Sequence, residues 1–135
     1  MVYDPSTIGL LKRAGFEARQ LRHLFVGPGH LLLALAREPG EVDELFTAFG
    51  IEYHAVQESM IRLVGKGPDA GPPGHLRIGP RLRRVLERAG TEAVENEVDE
   101  VNPSHVLLAI IREGRNVALT MLREVGADIP ICEGK

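Results

Sequence analysis

Two histidines, His30 and His105, stand about 75 residues apart, each two residues after a proline, at Pro28 and Pro103. An imidazole at a repeated position can act as a general base or a metal ligand, but either role needs carboxylate or thiolate partners. No cluster of Asp, Glu or Cys recurs beside both histidines. We therefore expect two buried imidazoles, each hydrogen-bonded to a neighbouring turn, and no catalytic or metal site.

Other groups that carry enzyme chemistry do not form a set either. A phosphate-binding loop reads G-x-x-x-x-G-K-[ST], and the stretch Gly65-Lys66-Gly67 lacks the first glycine and the final hydroxyl residue. The single cysteine, Cys132, has no basic neighbour in the sequence that would lower the pKa of its thiol. We therefore predict a protein that is not an enzyme and needs no cofactor.

A basic cluster is the candidate for contact with a charged partner. Arg81, Arg84 and Arg88 fall on one face of a predicted helix, and Arg77 and Arg83 lie beside them. Acidic residues follow directly, the net charge is -3, and no aromatic residues alternate with the arginines as they do in single-stranded nucleic-acid sites. The interpretations, in order of preference, are a solvated face, contact with an acidic partner protein, and contact with nucleic acid.

The elements that must position these residues come from an internal repeat. Residues 3–42 fall on residues 78–117 without a gap, and about 16 of 40 positions are identical, a self-match too dense for chance. A segment rich in Gly and Pro, residues 65–74, joins the two copies. We predict a single domain over residues 1–135, with repeat one at 3–64, a linker at 65–77, repeat two at 78–128 and a tail at 129–135.

Helical periodicity dominates both repeats. Pro5 and Pro80 stand where a first helical turn tolerates proline, and Pro28 and Pro103 begin the second helices. The second helices, residues 31–36 and 106–111, are apolar nearly all round, which predicts burial on every side; a buried strand is the alternative. The predicted fold is all-α, with two tandem four-helix repeats related by a pseudo-twofold axis.

The ends of the two repeats differ. Repeat one continues into a third helix with Val42, Leu45, Phe46 and Phe49, and then into a fourth helix over about residues 52–64. We expect this fourth helix to bury Val56, Met60 and Leu63.

Repeat two offers only Ile129 and Ile131 in the place of that fourth helix, and Pro130 opposes a long helix there. Repeat two should therefore lack most of its last helix. We expect an apolar patch beside Val106, Ile110 and Met121 that is less stable than repeat one or covered by a second chain.

Small residues recur in both first helices, as Ala14-Gly15 and Ala89-Gly90. Glycine inside a helix costs about 1 kcal/mol relative to alanine, so a matched pair needs a structural reason. A close crossing of the two first helices is the favoured one, and an open groove floor is the alternative.

Composition agrees with a helical globular domain. The chain of 135 residues is 44% hydrophobic and 26% charged, with 4% aromatic residues and no Trp. It contains no apolar run of about 18 residues and no N-terminal signal pattern, so we predict a cytoplasmic protein without a membrane span.

Taken together, these motifs resemble a known family. Each repeat has a Gly/Asn-x-x-His turn into a buried, Leu-rich helix and then Arg-Glu, which resembles the Clp N-terminal repeat domain that caps the Clp ATPase chaperones, most closely the ClpC type. The likeness runs from Tyr3 to Asp128. It implies a docking platform for Clp-system proteins, adaptors or substrate peptides.

The resemblance also implies a groove between the first helices that takes cyclic-peptide antibiotics of the cyclomarin type in the family. The matching positions are Leu11, Lys12, Gly15, Ile78, Arg83, Leu86, Glu87 and Gly90. Gly90 replaces a large apolar residue and Ile78 replaces a phenylalanine, so a shallower or differently shaped groove is expected.

In ClpC-type members, phosphoarginine binds a threonine near the start of each first helix and a glutamate just before each repeat histidine. The matching positions here are Asp4 and Gly79, and Gly29 and Ser104. Because every threonine and glutamate is replaced, and Asp4 would repel a phosphate, we expect phosphoarginine to bind more weakly than about 1 mM.

Three functions follow for testing. The first is a stand-alone, non-enzymatic protein-binding module that acts as an adaptor, decoy or ligand-sequestering protein, which the starting Met and the short second repeat favour. The second is the excised docking cap of a full-length ClpC-type ATPase. The third is a nucleic-acid-binding regulator, which the pI of about 5.9 disfavours.

Overall fold

Helices account for most of the described chain, which in this computed structural model comprises residues 2–67 and 77–125. Within those ranges there are seven helices and four two-residue strands, so the predicted all-α class is confirmed. In chain order, the elements are β1 (Val2–Tyr3), α1 (Pro5–Gln20), β2 (Phe25–Val26), α2 (Pro28–Leu35), α3 (Glu41–Ala48), α4 (Tyr53–Val64), β3 (Arg77–Ile78), α5 (Pro80–Glu95), β4 (Glu100–Val101), α6 (Pro103–Glu113) and α7 (Val117–Glu124).

Prolines and capping residues set the helix starts. Proline is the first residue of α1, α2, α5 and α6. Proline is tolerated there because the N–H groups of the first turn have no acceptor within the helix, so the N–H that proline lacks is not needed. Asp4 caps α1, with its Oδ1 accepting from the Thr7 N–H at 2.8 Å, and Asn102 caps α6 in the same way toward His105. The second segments of both repeats are helices, so the strand alternative is wrong.

The strands exchange between the repeats. β1 pairs in parallel with β4, and β2 pairs in parallel with β3. The entry to the first helix of each repeat is thereby tied to the entry to the second helix of the other. Two-residue strands carry no periodicity that a sequence pattern could reveal, and the sequence analysis missed them.

The third helices are exchanged as well. α1 packs on α2 and α5 packs on α6, but α3 packs on α6 and α7 packs on α2. α4 lies against α7 and α2. The two repeats therefore share one core, which runs from Leu10 in α1 to Leu122 in α7.

This exchange corrects the expected apolar patch. Val106, Ile110 and Met121 are fully buried, so none of these three residues contributes to an exposed apolar surface. Val56 and Met60 of α4 are buried as predicted, whereas Leu63 is 40% exposed. In α3, Val42 and Phe46 are buried and Leu45 is exposed, and Phe49, which follows the helix as its C-cap residue, is exposed as well.

The expected crossing of the first helices is also wrong. α1 and α5 each pack against the second helices of both repeats rather than against each other. A Cβ atom built on Gly15 meets no heavy atom of another described element within 4 Å. The alternative, an open groove floor, therefore describes Gly15.

Parts of the predicted organisation fall outside the described residues. These are most of the linker, at residues 68–76, and the C-terminal segment, residues 126–135, which includes the tail and Cys132. Among the described helices, none is long and apolar enough to cross a bilayer.

Candidate functional site

A cavity of about 350 Å³ opens beside α1, and we call it the α1 cavity. Val26 and Ile78, which are register partners in the β2–β3 pair, line one side of it. The open face of Gly15 adds depth, since no side chain projects there. The lining residues are Leu11, Lys12, Gly15, Phe16, Arg19, Val26, Ile78 and Leu82.

The α1 cavity brings together half of the groove residues inferred from the family resemblance. Leu11, Lys12, Gly15 and Ile78 line it. The other four do not: Arg83, Leu86, Glu87 and Gly90 lie along α5 outside this cavity.

Four lining residues were missed by the sequence reasoning. Phe16 and Arg19 follow Lys12 and Gly15 by one helical turn, so the i, i+4 rule could have found them. Leu82, on α5 of repeat two, reaches the cavity through the pairing of β2 with β3 across the repeats, which no local pattern signals. Val26 lies in the two-residue strand β2 of repeat one, which is too short to show a periodicity.

Apolar walls and a cationic edge define what the α1 cavity can bind. Leu11, Phe16 and Ile78 supply apolar surface, and Lys12 and Arg19 supply positive charge. Among the described lining residues there is no acidic side chain, no nucleophile and no proton-transfer pair. Such a cavity suits a peptide that carries apolar side chains next to an acidic group.

The positions that match the phosphoarginine sites meet in pairs across the repeats. The Asp4 N–H donates to the carbonyl of Val101 at 2.9 Å, which brings Asp4 to the start of α6 near Ser104. The Gly79 N–H donates to the carbonyl of Val26 at 2.9 Å, which brings Gly79 to the start of α2 near Gly29. Each pair therefore combines one residue from each repeat.

Neither pair resembles an open phosphoarginine pocket. The Asp4 carboxylate caps α1, and the Ser104 hydroxyl donates to Glu41 Oε1 at 2.5 Å. A Cβ atom on Gly29 would lie 2.5 Å from Met60 Sδ, so a glutamate there requires the Met60 side chain to move.

His30 is a buried imidazole with a defined hydrogen-bond chain. The Gly27 N–H donates to His30 Nδ1 at 2.9 Å, so the neutral ring carries its proton on Nε2. His30 Nε2 donates this proton to His23 Nδ1, and the two nitrogens are 2.7 Å apart. His23 Nε2 in turn donates to the Gly65 carbonyl at 2.7 Å. Burial first, and the nearby His23 second, lower the pKa of His30 to about 3.

His105 repeats only part of this chain. The Asn102 N–H donates to His105 Nδ1 at 3.0 Å, but Val98 occupies the position that matches His23. Both histidines are thus buried and bonded to a neighbouring turn, as predicted. Within residues 2–67 and 77–125, no three metal-ligand side chains cluster.

The basic cluster on α5 is partly neutralised within the chain. Arg88 Nε lies 3.1 Å from Glu92 Oε2, and Arg81 Nη1 lies 3.7 Å from Glu113 Oε2. Arg77 and Arg84 are exposed. The surface therefore presents less free positive charge than the sequence suggested.

The fold and site define a class of protein: an all-α domain built from two repeats. The repeats exchange strands and third helices, and an apolar cavity lies at their junction. Comparison with known proteins makes the class specific. The profile of the Clp repeat (R) N-terminal domain matches residues 3–125, and the chain belongs to this family. The resemblance seen in the sequence is confirmed.

Curated relatives include a Clp protease subunit and a chaperone protein. The chain is 34% identical to the ATP-dependent Clp protease ATP-binding subunit ClpC of Staphylococcus aureus over 121 residues, 89% of this chain and 14% of the relative. It is 33% identical to the chaperone protein ClpB of Oceanobacillus iheyensis over 114 residues, 84% of this chain and 14% of the relative. The chain thus spans about 14% of the length of these relatives.

Solved structures share the fold. The N-terminal domain of the chaperone ClpD from Arabidopsis thaliana superposes with a TM-score of 0.80 at 18% identity, over 98% of this chain and 90% of that one. The ClpV N-domain, solved in complex with a VipB peptide, gives a TM-score of 0.69 at 18% identity, over 96% and 81% of the two chains.

Proposed function

We propose that this chain is a non-enzymatic protein-binding module of the Clp system, and that it holds peptide segments of adaptors or substrates in the α1 cavity. The observation that carries the proposal is the cavity itself, in which apolar walls and two cations surround a glycine with open space above it. Family membership supports it, because a ClpV N-domain has been solved with a peptide.

A substitution that fills the cavity tests this function. Gly15→Leu places a side chain in the open space without a steric clash, and Gly9→Leu is the matched control, because Gly9 is also on α1 with nothing within 4 Å of its Cβ position. The probe is a fluorescent peptide with two leucines flanked by glutamates, titrated by fluorescence polarisation. We expect Gly15→Leu to weaken binding by about tenfold or more and Gly9→Leu to leave it unchanged.

Equal binding by both variants would contradict the α1 cavity as the peptide site. A cyclomarin-type peptide that competes with the fluorescent probe, and loses affinity in Gly15→Leu, would extend the same cavity to cyclic-peptide antibiotics.

For the biological setting, we propose a stand-alone adaptor, decoy or ligand-sequestering protein, and the docking cap of a longer ClpC-type ATPase is the alternative. Both use the same binding surface. The mass of the endogenous protein, measured by immunoblot with an antibody to this domain, separates them: a band near 14.8 kDa supports the stand-alone protein, and a much larger band supports the cap.

A further inference from the structure

A second groove lies between α3 and α6, and we call it the α3–α6 groove. It has a volume of about 510 Å³ and does not overlap the α1 cavity. Its lining residues are Glu41, Val42, Glu44, Leu45, Ser104, Leu107, Leu108 and Ile111.

The pseudo-twofold relation between the repeats explains why this groove is open. α4, the fourth helix of repeat one, lies on α7 and α2. The matching surface for a fourth helix of repeat two is formed by α3 and α6, and no described residue covers it. Leu33 of α2 is fully buried, whereas its match Leu108 is only partly buried, and Leu45 is 44% exposed.

α4 shows what kind of segment fits such a surface. Its apolar residues Val56 and Met60, one turn apart, are buried against the core. Its Arg62 Nη2 lies 2.8 Å from Glu124 Oε1 of α7, and the Ser59 hydroxyl donates to the same oxygen at 2.8 Å. The template is therefore an amphipathic helix with an apolar i, i+4 pair toward the core and a cation that pairs with a glutamate of the neighbouring third helix.

The charges around the α3–α6 groove indicate the sign of charge that its occupant carries. Glu41, Asp43 and Glu44 are all exposed in the first turn of α3, and none of the described lining residues is a cation. Residues 126–135 of this chain supply Asp128 and Glu133 against the single Lys135, which is the wrong sign for an acidic rim.

We propose that the α3–α6 groove binds a basic amphipathic helix of a partner protein, which takes the place that α4 occupies in repeat one. This proposal does not depend on the peptide function of the α1 cavity. The partner is recognised by apolar residues one turn apart, which contact Leu45, Leu108 and Ile111, and by Lys or Arg residues that pair with Glu41 and Glu44.

The probes are two fluorescent peptides based on residues 52–64. One carries Glu52→Lys and Glu58→Lys, and the other carries Arg62→Glu. Titrated against the full chain by fluorescence polarisation at low salt, the basic peptide should bind about tenfold tighter than the acidic peptide. The difference should shrink in high salt, because exposed charges are screened.

Two exposed positions and two controls locate the binding. Leu45→Glu should weaken the basic peptide by about tenfold or more, and Ile8→Glu, at an exposed apolar position of α1, should not. Glu44→Lys should reverse the preference between the two peptides, and Glu95→Lys at the exposed end of α5 should leave it unchanged. Circular dichroism checks that each variant is folded.

Three results would overturn the proposal. The first is equal affinity for both peptides, or an affinity for the basic peptide that Leu45→Glu does not change. The second is a gain of about tenfold in peptide affinity when the chain is cut after residue 125, because the groove is then occupied by its own C-terminal segment. The third is self-association in sedimentation that Leu45→Glu abolishes, because the occupant is then a second copy.

Discussion

Glu17 of α1 and Glu92 of α5 match each other in the two repeats, and both are 1% exposed, yet they are stabilised differently. Glu92 accepts from Arg112 Nη1 at 2.9 and 3.1 Å and from Arg88 Nε at 3.1 Å. Glu17 accepts from the Tyr53 hydroxyl at 2.5 Å through Oε1, and its Oε2 has no hydrogen-bond partner among residues 2–67 and 77–125.

The fourth helix causes this difference. Arg37, which matches Arg112, lies over the Tyr53 ring at 3.9 Å instead of reaching Glu17. Tyr53 is the first residue of α4, so the helix that repeat one adds also inserts a phenol between the carboxylate and the arginine. Burial, followed by the hydrogen bond and the charge of Glu17, raises the pKa of Tyr53 to about 12. Matching residues thus acquire different partners when the elements around them differ.

The largest expected effect comes from breaking the arginine contact in repeat two. Arg112→Met removes two charge-assisted hydrogen bonds from a buried carboxylate and should lower the free energy of unfolding by about 2–3 kcal/mol. Arg37→Met, the matched variant, loses only a contact with a ring and should cost less than about 1 kcal/mol. Urea unfolding measures both, and similar losses would contradict the contrast between the two glutamates.

Acid should destabilise the folded chain through His30. The pKa of His30 is about 3 in the folded chain and about 6.5 in the unfolded chain, so the unfolded chain takes up the proton first. The stabilisation is complete above about pH 6.5 and is lost as the pH falls toward 3. By pH 5 the loss from this group should be about 2 kcal/mol.

Unfolding measured at pH 7 and pH 5 tests this prediction with two matched variants. His30→Gln should reduce the fall in the free energy of unfolding between pH 7 and pH 5, whereas His105→Gln should leave this fall unchanged. A decline that survives His30→Gln would place the acid-sensitive group elsewhere.

Removing the phenol of repeat one should have an intermediate effect. Tyr53→Phe deletes the hydrogen bond to Glu17 and leaves both carboxylate oxygens without a described partner, so a loss of about 1–2 kcal/mol is expected. The variant Gln57→Leu, which loses only the 3.2 Å bond to the Tyr53 hydroxyl, is the control and should cost less. Thermal unfolding followed by circular dichroism compares them.

The smallest expected effect is an increase in the free energy of unfolding. Gly15→Ala and Gly9→Ala both add a methyl group to α1 in open space, so each should raise the free energy of unfolding by about 0.5–1 kcal/mol. A loss of stability in Gly15→Ala alone would show that the cavity floor is tighter than its geometry indicates.

Local features of the fold were predictable from the sequence, because local interactions create them. Proline in the first turn and Asn or Asp as a cap set the helix starts, and the apolar 31–36 and 106–111 segments identified the buried helices. The matching His30 and His105 were correctly predicted as buried imidazoles bonded to turns. Half of the inferred groove residues line the α1 cavity, and Phe16 was within reach of the same helical spacing.

Only the tertiary structure decided which repeat covers which. Apolar periodicity indicates that one face of a helix is buried. Because the two repeats have similar apolar faces, the pattern does not determine against which helix each face packs. The exchange of β1 and β2 across the repeats, and of α3 and α7 onto α6 and α2, follows from long-range packing. That choice buried Met121, left Leu45 exposed, and moved the open apolar surface from the predicted flank to the α3–α6 groove.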